Sequence, residues 1–469
     1  MKKGIYGLLV LLIFLMLGGA FAVYVSIHKD KPTKEVVEAS GVDTFSKYFS
    51  VDVLRDVPAM MGNNMKMGSA TDYGDGTYVV DVNGSTIDDY QAYLITLEKE
   101  GFTKYVDNGE KGLYGVVYNA NYTKDDLTVT VVHMVKARKT YVSVARDLPL
   151  SDHLIYKDEY TEGIREGART TLSLVELYNF GNSFVIQLKN GHFIVSDGGV
   201  DKDAPYLLDY LESLTSEGEK PVVEAWIFSH AHGDHAGIMK SFVDNPEYAQ
   251  RLYVEGIYYN EPSAKVFDTL EAAVRAQVSY LKMASKILKT TEGSVPKIYR
   301  PQTGQRYYFC DITIEIVFAQ EQLHLANYAG DFNDSSTWCM VNIDGQKVLL
   351  TGDGDDGGMN AITRAYDAED FKVDVFSVPH HALNVRNSFT DFCKPITVLY
   401  TTWKTEDFSE HDYYKRVEEN KYLKEAATEW YTWAKGTVVL TFPYKVGEAV
   451  VLPETAWIYD NGVDYRGNK

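Results

Sequence analysis

The hydrophobic positions change their spacing three times along the chain. From Ile5 to Ile27 they form a run without a charge, about the 20 residues that a helix needs to span a bilayer core. Lys2 and Lys3 ahead of the run predict a cytoplasmic N-terminus and an exported remainder. Ala20-Phe21-Ala22 offers a small-residue cleavage site, yet the apolar run continues through Val23, Tyr24, Val25 and Ile27. The pattern therefore predicts an uncleaved signal anchor over 1–28 in preference to a removed signal peptide. No Cys follows the run, which excludes a lipoprotein anchor, and 29–44 reads as a charged, Pro-containing tether.

The second regime, 45–150, mixes periods. Thr77–Val82 alternates as a strand does. Tyr90, Tyr93, Leu94 and Leu97 recur at helical spacing, with Thr86 as a cap and Gly101 as a stop. Gly115–Ala120, Leu127–Val135 and Thr140–Ala145 read as strands, the first two joined by a turn at Lys124-Asp125-Asp126. This predicts a small α+β accessory domain. It gathers no His, Cys or paired acids, so it is expected to bind or space more than to catalyse.

From Thr170 short strands alternate with helices. Strands are expected at Leu172–Tyr178, Ser183–Leu188, His192–Ser196, Val222–Phe228, Ile312–Phe318, Trp338–Ile343, Lys347–Leu350, Val373–Val378 and Thr397–Thr401, then at Thr437–Phe442 and Ala449–Leu452. Helices are expected at Leu207–Leu214 and, longest, at Ala264–Lys289. Hairpins and βα units together indicate an α/β layered fold with mixed sheets over 165–455.

Composition narrows the function. Asp and Glu outnumber Lys and Arg 66 to 46, giving a net charge of -20. Such a surface repels polyanions at long range and speaks against polymer nucleic-acid binding. The clearest basic residues, Lys265, Arg275 and Lys282, are interleaved with Glu271 and apolar positions, as on a solvated helix face. The three cysteines, Cys310, Cys339 and Cys393, contain no CxxC pair and are too few for a disulfide framework.

The chemistry concentrates where Val222–Phe228 ends, in Ser229-His230-Ala231-His232-Gly233-Asp234-His235-Ala236-Gly237. An extended segment points His230 and His232 the same way. Gly233 permits a turn, after which Asp234 and His235 face a second position, and Ala236-Gly237 can begin a helix. One loop can thus offer two imidazoles to one cation and an Asp–His pair to another. Imidazole and carboxylate suit zinc, with iron or manganese as further options.

This motif resembles that of the metallo-β-lactamase fold superfamily, His-x-His-x-Asp-His at the end of a strand. The resemblance implies an αββα four-layer sandwich and a site for two metal ions, zinc above all, ligated by His230, His232, Asp234 and His235. It implies a supporting role for Asp197, which closes Phe193-Ile194-Val195-Ser196, and a bridging role for Asp353 after Lys347-Val348-Leu349-Leu350-Thr351-Gly352, with Asp355 and Asp356 as competitors. In Pro379-His380-His381-Ala382 it favours His381 as a ligand, with His380 close behind as ligand or support. The usual third histidine is missing. In its place stands Asn333-Asp334-Ser335-Ser336, and Asn333 or Asp334 is expected to take the position, with His324 as the alternative. That style of third motif resembles the branch containing DNA-uptake competence proteins.

The implied reaction is metal-dependent hydrolysis, in which Asp234 orients water activated between two cations. The substrate class implied is a small or cell-envelope ester or phosphodiester outside the cytoplasm. The alternatives are a nuclease like the DNA-uptake branch and a non-catalytic metal-binding sensor. A single anchor and an acidic surface favour the first.

Overall fold

Thr86 sits in extended backbone, and its hydroxyl accepts from the Asp89 N–H at 3.2 Å while the Asp89 carboxylate accepts from the Thr86 N–H at 2.9 Å. This reciprocal cap starts the helix Ile87–Lys99, which buries Tyr90, Tyr93, Leu94 and Leu97 as their spacing predicts. The helix packs on an antiparallel sheet ordered Lys66–Asp72, Tyr78–Asn83, Lys139–Arg146, Leu127–Met134, Val117–Lys124, Thr103–Asp107. Its outer strands, Lys66–Asp72 and Thr103–Asp107, carry almost no buried side chains. Only partly buried side chains, Met67 and Ala70 in one and Tyr105 and Val106 in the other, pack on the cores, so their hydrophobic pattern is weak.

The computed structural model describes residues 42–62, 64–108, 116–178, 181–262, 264–267, 270–320, 332–402 and 416–453. The expected anchor over 1–28 and His324 lie outside these. Among the described residues no helix is long and apolar enough to cross a membrane.

Two further sheets follow. One runs Lys297–Tyr299, Gly256–Tyr259, Val222–Phe228, Phe193–Ser196, Phe184–Gln187, Thr171–Leu174, Val438–Thr441, Val450–Val451, with Tyr253–Val254 also paired to Val222–Phe228. The other runs Arg306–Phe309, Ile312–Phe318, Trp338–Ile343, Gln346–Leu350, Val375–Ser377, Thr397–Tyr400, Glu429–Thr432. Their facing sides share one core. In the second of these sheets Ile316, Val341, Val348, Val375 and Leu399 point into it, while their neighbours Val317, Met340, Leu349, Phe376 and Val398 point to a second core under the helices Asp356–Ala365, Asn387–Cys393 and Val417–Ala426. The period of two thus fills both faces of this sheet. The helices Ala204–Ser213, Ile238–Asp244 and Ala272–Ile287 bury their apolar faces with the first of these sheets.

The helix expected over 264–289 is two pieces, Ala264–Phe267 and Ala272–Ile287. Glu271, with ψ 146°, is extended and breaks the run of helical hydrogen bonds.

The described residues from Thr44 onward form one compact unit, and the accessory sheet is stitched into it by polar contacts far apart in sequence. Asn119 Nδ2 donates to the Thr303 carbonyl at 2.9 Å, and Gln305 Nε2 to Asn121 Oδ1 at 3.1 Å. Between them Gly304 has φ +81°, and a Cβ there would lie 3.0 Å from Val117 Cγ1, so only glycine fits the turn at this approach. Arg300 pairs with Asp75 at 2.7 Å. Lys136 donates to the Tyr366 carbonyl at 2.9 Å, just beyond the C-terminal end of Asp356–Ala365.

Candidate metal centre

Apart from Asn333 and Asp334, which lie in the turn Phe332–Ser335 ahead of the antiparallel strand Trp338–Ile343, the expected ligands among the described residues leave the C-terminal ends of parallel strands. The His loop follows Val222–Phe228, which is parallel to Phe193–Ser196 and Gly256–Tyr259. Asp353 follows Gln346–Leu350, His380 and His381 follow Val375–Ser377, and Thr401 follows Thr397–Tyr400, again parallel to one another. The carboxyl ends of parallel strands leave a crevice in which ligands bind. Gly352 brings two of these ends together: its φ is +54°, and a Cβ would lie 2.4 Å from Ser229 Cβ.

Within the His loop, His232 is extended and caps a helical turn, Gly233–Ala236. The helix therefore starts earlier than Ala236. His230 Nε2 and His232 Nδ1 converge to 2.9 Å. His235 Nε2 lies 3.3 Å from His381 Nε2, which lies 3.1 Å from Asp234 Oδ2.

Asp353 stands between these two clusters. Its Oδ1 faces His235 Nε2 at 2.9 Å and His381 Nε2 at 3.4 Å, and its Oδ2 faces His230 Nε2 at 3.9 Å. The result is two groups that could each hold a cation, His230–His232–Asp353 and Asp234–His235–Asp353–His381, sharing one carboxylate. Asp353 Oδ1 is buried yet makes no aligned hydrogen bond, although two ring nitrogens crowd it. An acceptor left so is costly unless a cation satisfies it, and the donor set of imidazoles and carboxylates suits a divalent metal.

The remaining ring nitrogens are fixed by neighbours that orient the ligating ones. His235 Nδ1 donates to Asp197 Oδ2 at 2.8 Å, and His381 Nδ1 to the Thr401 carbonyl at 2.6 Å. His230 Nδ1 lies 3.1 Å from Ser229 Oγ and 3.3 Å from Ser336 Oγ. In each case Nε2 is left to turn its lone pair inwards. Asp197 also accepts from the Ser229 N–H at 2.8 Å and from Asn182 Nδ2 at 2.7 Å. His380, His381 and Ala382 have φ values of 50°, 51° and 71°, a left-handed run of non-glycine residues that costs on the order of 1–3 kcal/mol at each position. Such strain aims both rings of the pair at the carboxylate.

Electrostatics follow from burial and company. Burial pushes the His235 imidazole down, but Asp353, Asp197 and Asp234 outweigh it and raise its proton affinity well above normal. His381 is likewise lowered by burial and then lifted by Asp353 and Asp234 to about 9. Burial, with His235 and His232 alongside, drives His230 far down. Burial would raise Asp353, but His235, His381 and His380 hold it well below the carboxylate range.

Six expected ligands therefore meet: His230, His232, Asp234, His235, Asp353 and His381. Asp334 belongs to neither group; its Oδ1 accepts from the Gly357 N–H at 3.2 Å. His380 Nε2 reaches 3.9 Å from Asp353 Oδ2, with Asn333 Nδ2 3.4 Å from that nitrogen and Asn384 Nδ2 2.6 Å from the other. Ser229, Ser336, Asn182, Thr401 and Asn384 join the site beyond the residues that the sequence motifs mark. The available signals were adjacency for the two serines and a four-residue step from His380 for Asn384.

The profile of the metallo-beta-lactamase superfamily matches residues 178–365. No curated protein matches the chain. Among solved structures it is similar to a Cronobacter sakazakii metallo-beta-lactamase with a HARLDQ motif, at 15% identity over 49% of this chain and 78% of that one, TM-score 0.27. Another is Zn(2+)-bound PqqB from Methylobacterium extorquens, at 8% identity over 55% of this chain and 87% of that one, TM-score 0.31. A third is a metallo-beta-lactamase family protein from Thermus thermophilus, at 13% identity over 42% of this chain and 68% of that one, TM-score 0.24. The matched residues 178–365 contain the His loop, Asp197 and Asp353.

Proposed function

We propose that this protein is a membrane-anchored, extracytoplasmic hydrolase that uses two zinc ions to cleave a small or envelope-linked ester or phosphodiester. The observation that carries the reading is the split of Asp353, one oxygen toward each ligand group. Cations held there supply Lewis acidity, polarising a carbonyl or phosphoryl oxygen and making water acidic. The chain's own residues do the rest. Asp197 and Thr401 hold His235 and His381 in one tautomer each. Asp234 is the carboxylate water can reach, with 18% of its side chain exposed against 3% for Asp353. It can therefore orient the attacking water. Anchoring rests on the apolar run 5–27 behind Lys2 and Lys3. The acidic surface supports a small substrate, and Arg275 and Lys282 are engaged by the Leu270 carbonyl and Glu261.

The test is metal content by elemental analysis of the purified full chain, with a panel of esters, phosphodiesters and lactams beside linear DNA. His230→Ala combined with His232→Ala is expected to remove about half the bound metal. Unchanged content overturns the ligand assignment. DNA degradation that disappears in Asp353→Ala, without small-substrate turnover, replaces the reading by a nuclease. A metal-loaded chain inert on every substrate replaces it by a sensor.

A further inference from the structure

A cavity of about 340 Å³ opens where the accessory sheet meets the helix Asp356–Ala365. Gly357, Ala361, Arg364 and Ala365 form its catalytic-domain wall, and steps of four, three and one place them on one helix face. Met134, Lys139 and Tyr141 of the accessory sheet form the opposite wall, with Phe318 closing an apolar side. In a chain of net charge -20, no carboxylate is among the described residues that line this cavity. Its lysine is committed: Lys139 pairs with Asp81 at 3.2 Å and lies 4.6 Å over the Tyr141 ring. Its arginine is not, since among the described residues Arg364 makes no ion pair or side-chain hydrogen bond. By contrast, a larger cavity of about 480 Å³ near Tyr178 has Lys240 tied to both Asp201 and Asp244.

The helix gives the cavity a direction. It begins three residues after Asp353, and Gly357 at its first turn donates to Asp334, whose neighbour Asn333 lies against His380. Arg364 is seven residues further on, roughly 10 Å along the axis. Lys136 fixes the accessory wall to the far end of the same helix, through the Tyr366 carbonyl and Asp367. Two walls from different domains are thus held in register.

We infer that this interdomain cavity binds an elongated ligand with an apolar body and an anionic end group, Arg364 taking the anion. This rests on the hydrolase reading only for the further claim that the ligand's other end is the scissile group. The accessory domain then serves as half of a specificity pocket.

Binding is measured on the full chain, stripped of metal so that no carboxylate can reach a cation. The probes are 1-naphthoate and its neutral near-isostere 1-naphthalenemethanol, followed by calorimetry. Naphthoate is expected to bind saturably, and Arg364→Gln to weaken it about tenfold, as loss of one charge-assisted contact would. The alcohol should bind the wild type and Arg364→Gln alike. Ala361→Trp, which fills the cavity, should abolish both. An unchanged melting temperature for Arg364→Gln keeps misfolding out of the comparison. Naphthoate affinity within twofold of wild type in Arg364→Gln, or no saturable binding at all, overturns the proposal. Because no turnover is read, failure of the hydrolase reading leaves these outcomes intact.

Discussion

His133 in the accessory sheet and His235 in the metal centre are both fully buried imidazoles, and their surroundings are opposite. Among the described residues His133 Nδ1 meets only hydroxyls, Thr140 Oγ1 at 2.9 Å and Ser85 Oγ at 3.4 Å, and its ring stacks on Tyr90. Burial there pushes the imidazole down to about 4, against a weak opposing pull from Asp89. His235 has Asp197 on one nitrogen and Asp353 on the other, at 2.8 and 2.9 Å, and it is held up. Burial alone therefore does not mark a functional histidine. At His235 a carboxylate on each side of the ring keeps a cation, proton or metal, stable where water is absent, whereas His230, whose Nδ1 meets the Ser229 and Ser336 hydroxyls, joins its ligand group through Nε2 alone.

The largest effect should come from removing the shared carboxylate. Asp353→Ala takes one ligand from each group and leaves four imidazoles crowded around a void. Loss of several kcal/mol of Lewis-acid stabilisation corresponds to on the order of a 10³-fold fall in turnover. Metal content by elemental analysis should fall with it. Retention of full metal content would mean that the bridging geometry is incidental.

The second effect runs through pH and has opposite signs in the two regions. His133 titrates at about 4 when folded and at about 6.5 when unfolded. Its contribution to stability is thus whole above 6.5 and is lost as pH falls toward 4, by roughly 3 kcal/mol at most. His381 is lifted to about 9. In the metal-stripped chain its contribution is whole below about 6.5 and is lost as pH rises through about 9. Denaturant melts of the stripped chain between pH 4 and 6.5 should show a shallower slope in His133→Asn. Identical slopes for wild type and variant would place His133 outside the titrating set.

These regions also differ in what sequence could say. The His loop is local: three imidazoles and a carboxylate in six positions declare their purpose by spacing alone. Asp197 and Asp353 are legible only through the resemblance, which implies a supporting and a bridging acid at the ends of those two apolar strands. What spacing cannot show is which ring faces which oxygen. His380 and His381 are adjacent in sequence and both left-handed, yet they approach different oxygens of Asp353. Asp334 and Asn333 are equally undetermined from sequence, and a turn sends Asp334 to Gly357 and leaves Asn333 beside His380. The accessory domain reads as separate because its contacts to the rest, such as Asn119 with Thr303, join residues 184 apart. Nothing in a local pattern reports a bond of that range.

The smallest predicted effect is the most direct test of what separates the two histidines. Asp197→Asn keeps the size of the side chain, and the backbone should not object. Asp197 has φ 58°, and Asn is among the residues that tolerate that region. What changes is acceptor capacity. Oδ2 receives Ser229 Oγ, Asn182 Nδ2 and His235 Nδ1, while Oδ1 receives the Ser229 N–H. With the amide oxygen in the Oδ2 place, the NH2 group confronts the Ser229 N–H and leaves it unsatisfied, about 1–3 kcal/mol of stability. His235 also exchanges a charged partner for a neutral one, which brings its company closer to that of His133. Loss of such a supporting carboxylate lowers metal affinity roughly 10–100-fold, a change that chelator competition resolves. If stability falls while metal affinity is unchanged, Asp197 braces only the Ser229 backbone. The distinction between the two buried imidazoles would then rest on Asp353 alone.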